Sequence, residues 1–287
     1  MNARTHDAFA ADHAAWHADV EAARRAPYGP LSPIAMHWLT AEPQSLPEAP
    51  GRWSVDADGN VTVELSASDG VTTLDGAPLV AAAEGADRRP NSDAVTVRLG
   101  PLTGTASLLL VWGERRIEVA ARSGGVIVRP RDPASPDRTG YLGTATFPPS
   151  EAWVVTARFV PAPVSAVEVA SAAGEDRRQQ YDSPGSAEFE VDGHTVSLTL
   201  FGSRENDDLR AVFADATGED LTFPASRFVD AEQTDDHTVV IDFNRTINPP
   251  CAYSMSATCP FPPPGNRLPV RITAGELRPG VAAPSTD

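Results

Sequence analysis

Residues 5–25 are rich in Ala and carry Phe9, Trp16 and Val20 at i, i+7 and i+11. That spacing places the three on one stripe of an α-helix and predicts an amphipathic helix packed on the body of the protein. The helix should stop before Pro27, Gly29 and Pro30, where the backbone loses a donor and gains freedom to turn. Residues 31–39, with Trp38, form a second short apolar element, and Pro43, Pro47 and Pro50 make a linker.

Beyond Gly51 the period changes from helical to alternating. Val61-Thr62-Val63-Glu64-Leu65 and Val95-Thr96-Val97-Arg98-Leu99 place apolar and polar side chains on opposite faces, the mark of half-buried strands. Further strands are expected at 107–111, 116–120 and 126–129. After a Pro- and Arg-rich connection at 130–150 they resume at 153–159, 189–191, 196–201, 209–213 and 238–243, with a final strand at 268–272. Asp58-Gly59-Asn60, Asp192-Gly193-His194 and Asp235-Asp236-His237 each precede a strand and read as turns, because Asp and Gly tolerate positive φ. The expected fold is mainly β, an antiparallel sandwich or barrel-like sheets in two β blocks, with an N-terminal amphipathic helix. The expected divisions are 1–50 (helix and linker), 51–130 (first β block), 131–276 (second β block) and 277–287 (disordered tail).

Composition then removes whole classes of function. A formal net charge of −16 repels phosphate backbones and anionic lipid, so neither nucleic acid nor a membrane surface is an expected partner. All the basic residues are Arg and none is Lys, which rules out chemistry built on a lysine amine. Charges interrupt residues 1–25 throughout, and no run approaches the roughly 18 apolar residues of a membrane span, so a cytoplasmic location is expected. Two cysteines, Cys251 and Cys259, are too few for a disulfide framework or a closed zinc site. They are expected close together as reduced thiols.

Familiar catalytic motifs are missing: there is no Gly-x-Ser-x-Gly elbow, no His-Glu-x-x-His, no calcium loop and no dinucleotide glycine fingerprint. His13 and His17, at i and i+4 with His6 before them, have a spacing that can hold a metal. They also flank the apolar stripe of the helix, where an amphipathic ring with a polar tip fits, and no metal or other cofactor is expected.

The segment richest in chemistry begins at the end of the 238–243 strand. Alternation puts Asp242 and Asn244 on one side, opposite Val239, Ile241 and Phe243. Residues 245–267 follow without any period, carrying Arg245, Asn248, Cys251, Tyr253, Cys259, Asn266 and Arg267. Long irregular connections inside compact domains tend to be functional, and the prolines from Pro249 to Pro264 favour an ordered one.

The run Asp-Phe-Asn-Arg at 242–245, then Asn-Pro-Pro-Cys-Ala-Tyr at 248–253, Thr-Cys-Pro at 258–260, Asn-Arg-Leu-Pro-Val at 266–270 and Ala274-Gly275-Glu276 closely resembles a bacterial and archaeal family known as domain of unknown function sixteen eighty-four. The resemblance implies a mostly-β fold and a shared site, and no reaction. Three readings follow. The first is a site for a small polar or anionic ligand built from Asp242, Asn244, Arg245, Asn248, Cys251, Tyr253, Cys259, Asn266 and Arg267, in which arginine forks would grip carboxylate or phosphate. The second is a hydrolase or isomerase with Asp242 as base and Cys251 or Cys259 as nucleophile. The third is a scaffold or partner-binding protein using the Pro-rich loop and the N-terminal helix.

Overall fold

A computed structural model describes residues 6–82, 87–88 and 93–283. They divide into two compact units. One comprises Arg25–Tyr141 with Ser254–Thr258; the other comprises Met1–Arg24, Leu142–Tyr253 and Cys259–Asp287. The junction at Tyr141 falls within the 130–150 connection. Among the described residues no helix is long and apolar enough to cross a membrane.

Among the described residues of the first unit, ten strands form two five-stranded antiparallel sheets. They are β1 (His37–Trp38), β2 (Gln44–Leu46), β3 (Ala49–Val55), β4 (Val61–Ser66), β5 (Val71–Thr72), β6 (Asp87–Arg88), β7 (Ala94–Leu99), β8 (Ser107–Trp112), β9 (Arg115–Arg122) and β10 (Gly125–Arg131). One sheet runs β1-β10-β9-β8-β5 and the other β2-β3-β4-β7-β6. The alternation read from the sequence is kept: Val61, Val63 and Leu65 face a core that also holds Trp53, Ile117, Val119 and Val128. A carboxylate is buried among these strands. Glu118 lies directly across the ladder from Arg129. Arg129 reaches both of its oxygens at 2.8 and 2.9 Å, and Arg131 adds bonds of 2.7 and 2.9 Å. Burial alone would raise the Glu118 pKa, but the hydrogen bond and charge of Arg129, helped by Arg131, outweigh it and bring it to about 2.

In the second unit six strands close into an antiparallel barrel: β11 (Val154–Ser171), β12 (Gly174–Val191), β13 (His194–Phe201), β14 (Arg210–Phe213), β15 (Arg227–Asp235) and β16 (Thr238–Asp242). Pairing of β11 with β16, Val155 opposite Ile241, closes the circle. Asp192 and Gly193 join β12 to β13 with φ of 50° and 75°, the doubly left-handed turn that a two-residue hairpin requires.

The expected strand at 268–272 is not one. Leu268, Val270, Ile272 and Ala274 keep the alternation and are all buried in the barrel's hydrophobic core, yet they join no ladder. Their backbone is satisfied elsewhere: Leu268 N–H donates to Ala214 O at 2.8 Å, Val270 O accepts from Ala216 N at 2.9 Å, and Ile272 N–H donates to the Asp215 carboxylate at 2.8 Å. Period two reports a face, and the face here belongs to a plug. Of the tail expected from 277, Leu277 is fully buried, and residues 284–287 lie outside the described residues.

Helix α1 (His6–Arg24) belongs to the barrel unit. Phe9 is buried as the stripe predicts, while Trp16 and Val20 are only half-buried. The other buried positions include three polar ones, His13, Glu21 and Arg24. A search for apolar residues alone passes over all three.

Candidate functional site

The signature residues do not converge on one point. Asp242 caps the turn that ends β16, accepting from Asn244 N at 3.0 Å. The buried Asn244 amide accepts from Ser150 N at 2.8 Å and donates to Ser150 O at 2.9 Å, which pins that turn to the start of the barrel. His13 hydrogen-bonds the Asn244 carbonyl at 3.0 Å through Nε2, and burial lowers its pKa. Asn266, fully buried, accepts from Thr199 N at 2.8 Å and donates to Thr199 O and Val212 O at 3.0 and 2.9 Å, so its side chain completes the ladder between β13 and β14. Both asparagines act as substitute backbone. Arg267 is exposed. Cys251 and Cys259 are adjacent, the Cys251 N–H donating to Cys259 Sγ at 3.3 Å.

Asn248 and Tyr253 instead meet around Glu276, which is fully buried. Arg24 Nη2 donates to both Glu276 oxygens at 2.8 and 2.9 Å, and Asn248 N–H donates to one at 2.7 Å. The Tyr253 hydroxyl lies 3.4 Å from the same carboxylate and 2.8 Å from Thr144 Oγ1. Burial, reinforced by the Glu276 charge, pushes the Tyr253 phenol up, so it stays a neutral donor. The Arg24 guanidinium lies over the Tyr253 ring at 4.6 Å and reaches Glu21 at 2.5 Å through Nη1.

Gly275 sets this geometry. Its φ is +77°, and a Cβ there would sit 2.6 Å from both the Cβ and the carbonyl oxygen of Thr246. Only glycine allows that approach, which brings Glu276 N–H to 2.9 Å from Thr246 O.

His17 Nε2 is 3.4 Å from Glu276, is shielded from solvent and has no hydrogen-bond partner among the described residues. His17, Glu21 and Glu276 each offer an atom within 4.8 Å of the other two, a spacing that a metal ion can bridge. Arg24 already bridges the two carboxylates, and a divalent ion would have to displace it. The His6 side chain lies outside the described residues. Sequence reasoning missed Arg24, Glu21, Thr144 and Glu276 as site members. The signal for two of them was the i, i+3 Glu21/Arg24 pair on the face expected to be apolar.

Beside α1 a groove of about 1040 Å³ opens across β14, β15 and β16. Its apolar wall is Trp16 and Val20 from the helix, with Tyr181, Phe201, Val212 and Phe228 from a cluster separate from the main barrel core. Its charged wall is Asp207, Asp208, Asp230, Glu232 and Asp242, against only Arg210 and Arg245. Both arginines are engaged. Arg210 pairs with Asp230 at 2.6 Å; Arg245 pairs with Asp12 at 2.7 Å and Asp242 at 3.4 Å and lies 6.0 Å from the Trp16 ring. Two of the sequence-predicted residues, Asp242 and Arg245, therefore line this groove.

The geometry can be set beside known proteins. Residues 139–277 match the family model "Protein of unknown function (DUF1684)". That match spans the whole barrel, the plug and Glu276. A solution NMR structure of an uncharacterized protein from Haloarcula marismortui is similar at 28% identity, with a TM-score of 0.42, over 49% of this chain and 78% of that one. No curated protein matches the chain.

Proposed function

We propose that the DUF1684 barrel is a ligand-binding module whose site is the groove beside α1, and that its ligand is a small organic cation with an apolar body. The observation that carries this is the charge of the groove. Five carboxylates face two arginines, and each arginine is already neutralised by a groove carboxylate, leaving Asp207, Asp208 and Glu232 in excess. Such a wall repels anions and concentrates cations. The aromatic residues Trp16, Tyr181, Phe201 and Phe228 in the groove lining suit the same ligand, since a ring's electron-rich face attracts positive charge. The volume is at the upper end of small-molecule sites, which span roughly 300–1,000 Å³.

This reading keeps the small polar ligand expected from the sequence and reverses its charge. The cysteine-nucleophile alternative has less support as a route to catalytic turnover, because the neighbouring Cys259 and burial push the Cys251 thiol up and leave too little thiolate at neutral pH for repeated attack; a single slow exchange at raised pH is a weaker demand. The test is thermal denaturation against phenyltrimethylammonium, choline and spermidine, with benzoate and phosphate as anionic controls. A ligand that binds only the folded state raises the melting temperature. Cations should do so, with a response that shrinks as salt rises and is reduced in Glu232→Gln and Trp16→Ala. A response to the anions, or none to any cation, overturns the proposal.

A further inference from the structure

Cys251 and Cys259 are held by rigid backbone on both sides. Pro249 and Pro250 start the short turn that carries Cys251, closed by bonds from Ala252 N to Pro249 O at 2.9 Å and from Tyr253 N to Pro250 O at 3.0 Å. Cys259 is fixed from the end of β11 and the turn after it, its carbonyl accepting from Ala172 N at 2.8 Å, while Phe261 N–H donates to Ala170 O at 2.8 Å. Between these anchors Cys259 Sγ accepts from the Cys251 N–H at 3.3 Å, which puts the two residues side by side. Neither cysteine is in a disulfide. Little conformational freedom is left to lose when two such sulfurs close to bonding distance of about 2 Å.

The exposures differ in a way that assigns roles. Cys251 is half-buried; Cys259 is buried. We propose that the pair is a reversible redox site, in which Cys251 takes a low-molecular-weight disulfide as oxidant and Cys259 resolves it. Cys251, as thiolate, attacks one sulfur of RSSR, forming a mixed disulfide and releasing one thiol, RSH. Cys259 then gives up its proton and attacks Cys251 Sγ, breaking the mixed disulfide and releasing the second RSH. The balance is protein(SH)₂ + RSSR → protein(S–S) + 2 RSH: the two cysteines are oxidised and the small disulfide is reduced. The raised Cys251 thiol makes the first step slow at neutral pH and faster as pH rises.

The position gives the bond a purpose. Cys251 lies between Asn248 and Tyr253, which surround Glu276, and Cys259 precedes Pro260, which lines the groove. The disulfide would staple the groove wall to the turn that supports the buried glutamate.

The experiment incubates the full chain, native and in urea, with oxidised glutathione and reads intact mass under non-reducing conditions. The native wild type should lose two hydrogens as a monomer, reversibly with dithiothreitol. Cys259→Ser should stop at one bound glutathione, and native Cys251→Ser should bind essentially none; melting curves establish that both variants are folded. A native chain that keeps both thiols while the unfolded chain closes its disulfide overturns the proposal. So does a wild type that stops at the mixed disulfide or links two chains.

Discussion

Arg24, at the end of α1, forms a buried salt bridge with Glu276, 252 residues away in sequence, at 2.8 Å. Glu276 is fully buried and Arg24 nearly so. Removing the cation strands a carboxylate where water cannot reach it, and breaking a buried pair this way costs about 3–5 kcal/mol. Arg24→Met should therefore lower the unfolding free energy in urea by about that much. Arg24→Met with Glu276→Gln should recover part of the loss, because the stranded charge is gone.

Glu118 makes the stability of its unit depend on acid. Its pKa falls from 4.5 to about 2 on folding, so the folded state favours the ionised form. That contribution is complete above pH 4.5 and is lost as pH drops toward 2, amounting to about 3 kcal/mol. Urea denaturation between about pH 6 and pH 2.5 should show the slope, and Glu118→Gln should flatten it.

Gly275→Ala tests the approach that positions Glu276. The left-handed φ and the 2.6 Å distance to Thr246 both oppose a methyl group, and the cost should exceed about 2 kcal/mol. Gly265→Ala is the control, since a Cβ there would meet nothing within 4 Å and its φ is ordinary; its melting temperature should stay near wild type.

Asn266 and Arg267 are neighbours with opposite expected outcomes. Asn266→Ala leaves Thr199 and Val212 backbone groups buried without partners, at about 1–3 kcal/mol each. Arg267→Met changes an exposed side chain and should stay within about 0.5 kcal/mol. Chemical denaturation of the two single variants compares them directly.

The alternation of β4 and β7 and the Asp192-Gly193 turn were legible because each is dictated by neighbours in sequence. The plug at 268–274 was half legible: its buried face could be read, but not its lack of a ladder, because hydrogen-bond partners such as Asp215 and Ala214 are far away in the chain. The polar face of α1 was legible only as a spacing, the i, i+3 pair of Glu21 and Arg24, and not as a buried site. A buried Arg and a surface Arg are the same letter, and only Glu276, on the far side of the chain, tells them apart. The groove escaped for a related reason, since its carboxylates are scattered over a loop and two strands.

The plug also sets an order of events. All six barrel strands are made by residue 242, yet Leu268, Val270, Ile272 and Ala274 come after them. A nascent chain released up to residue 267 holds every strand of the barrel and none of these side chains, leaving the part of the core they pack against open to water. Synthesis of this one segment therefore completes the barrel's core, and a chain stalled before Leu268 would present to chaperones and proteases the apolar surface that these four side chains cover.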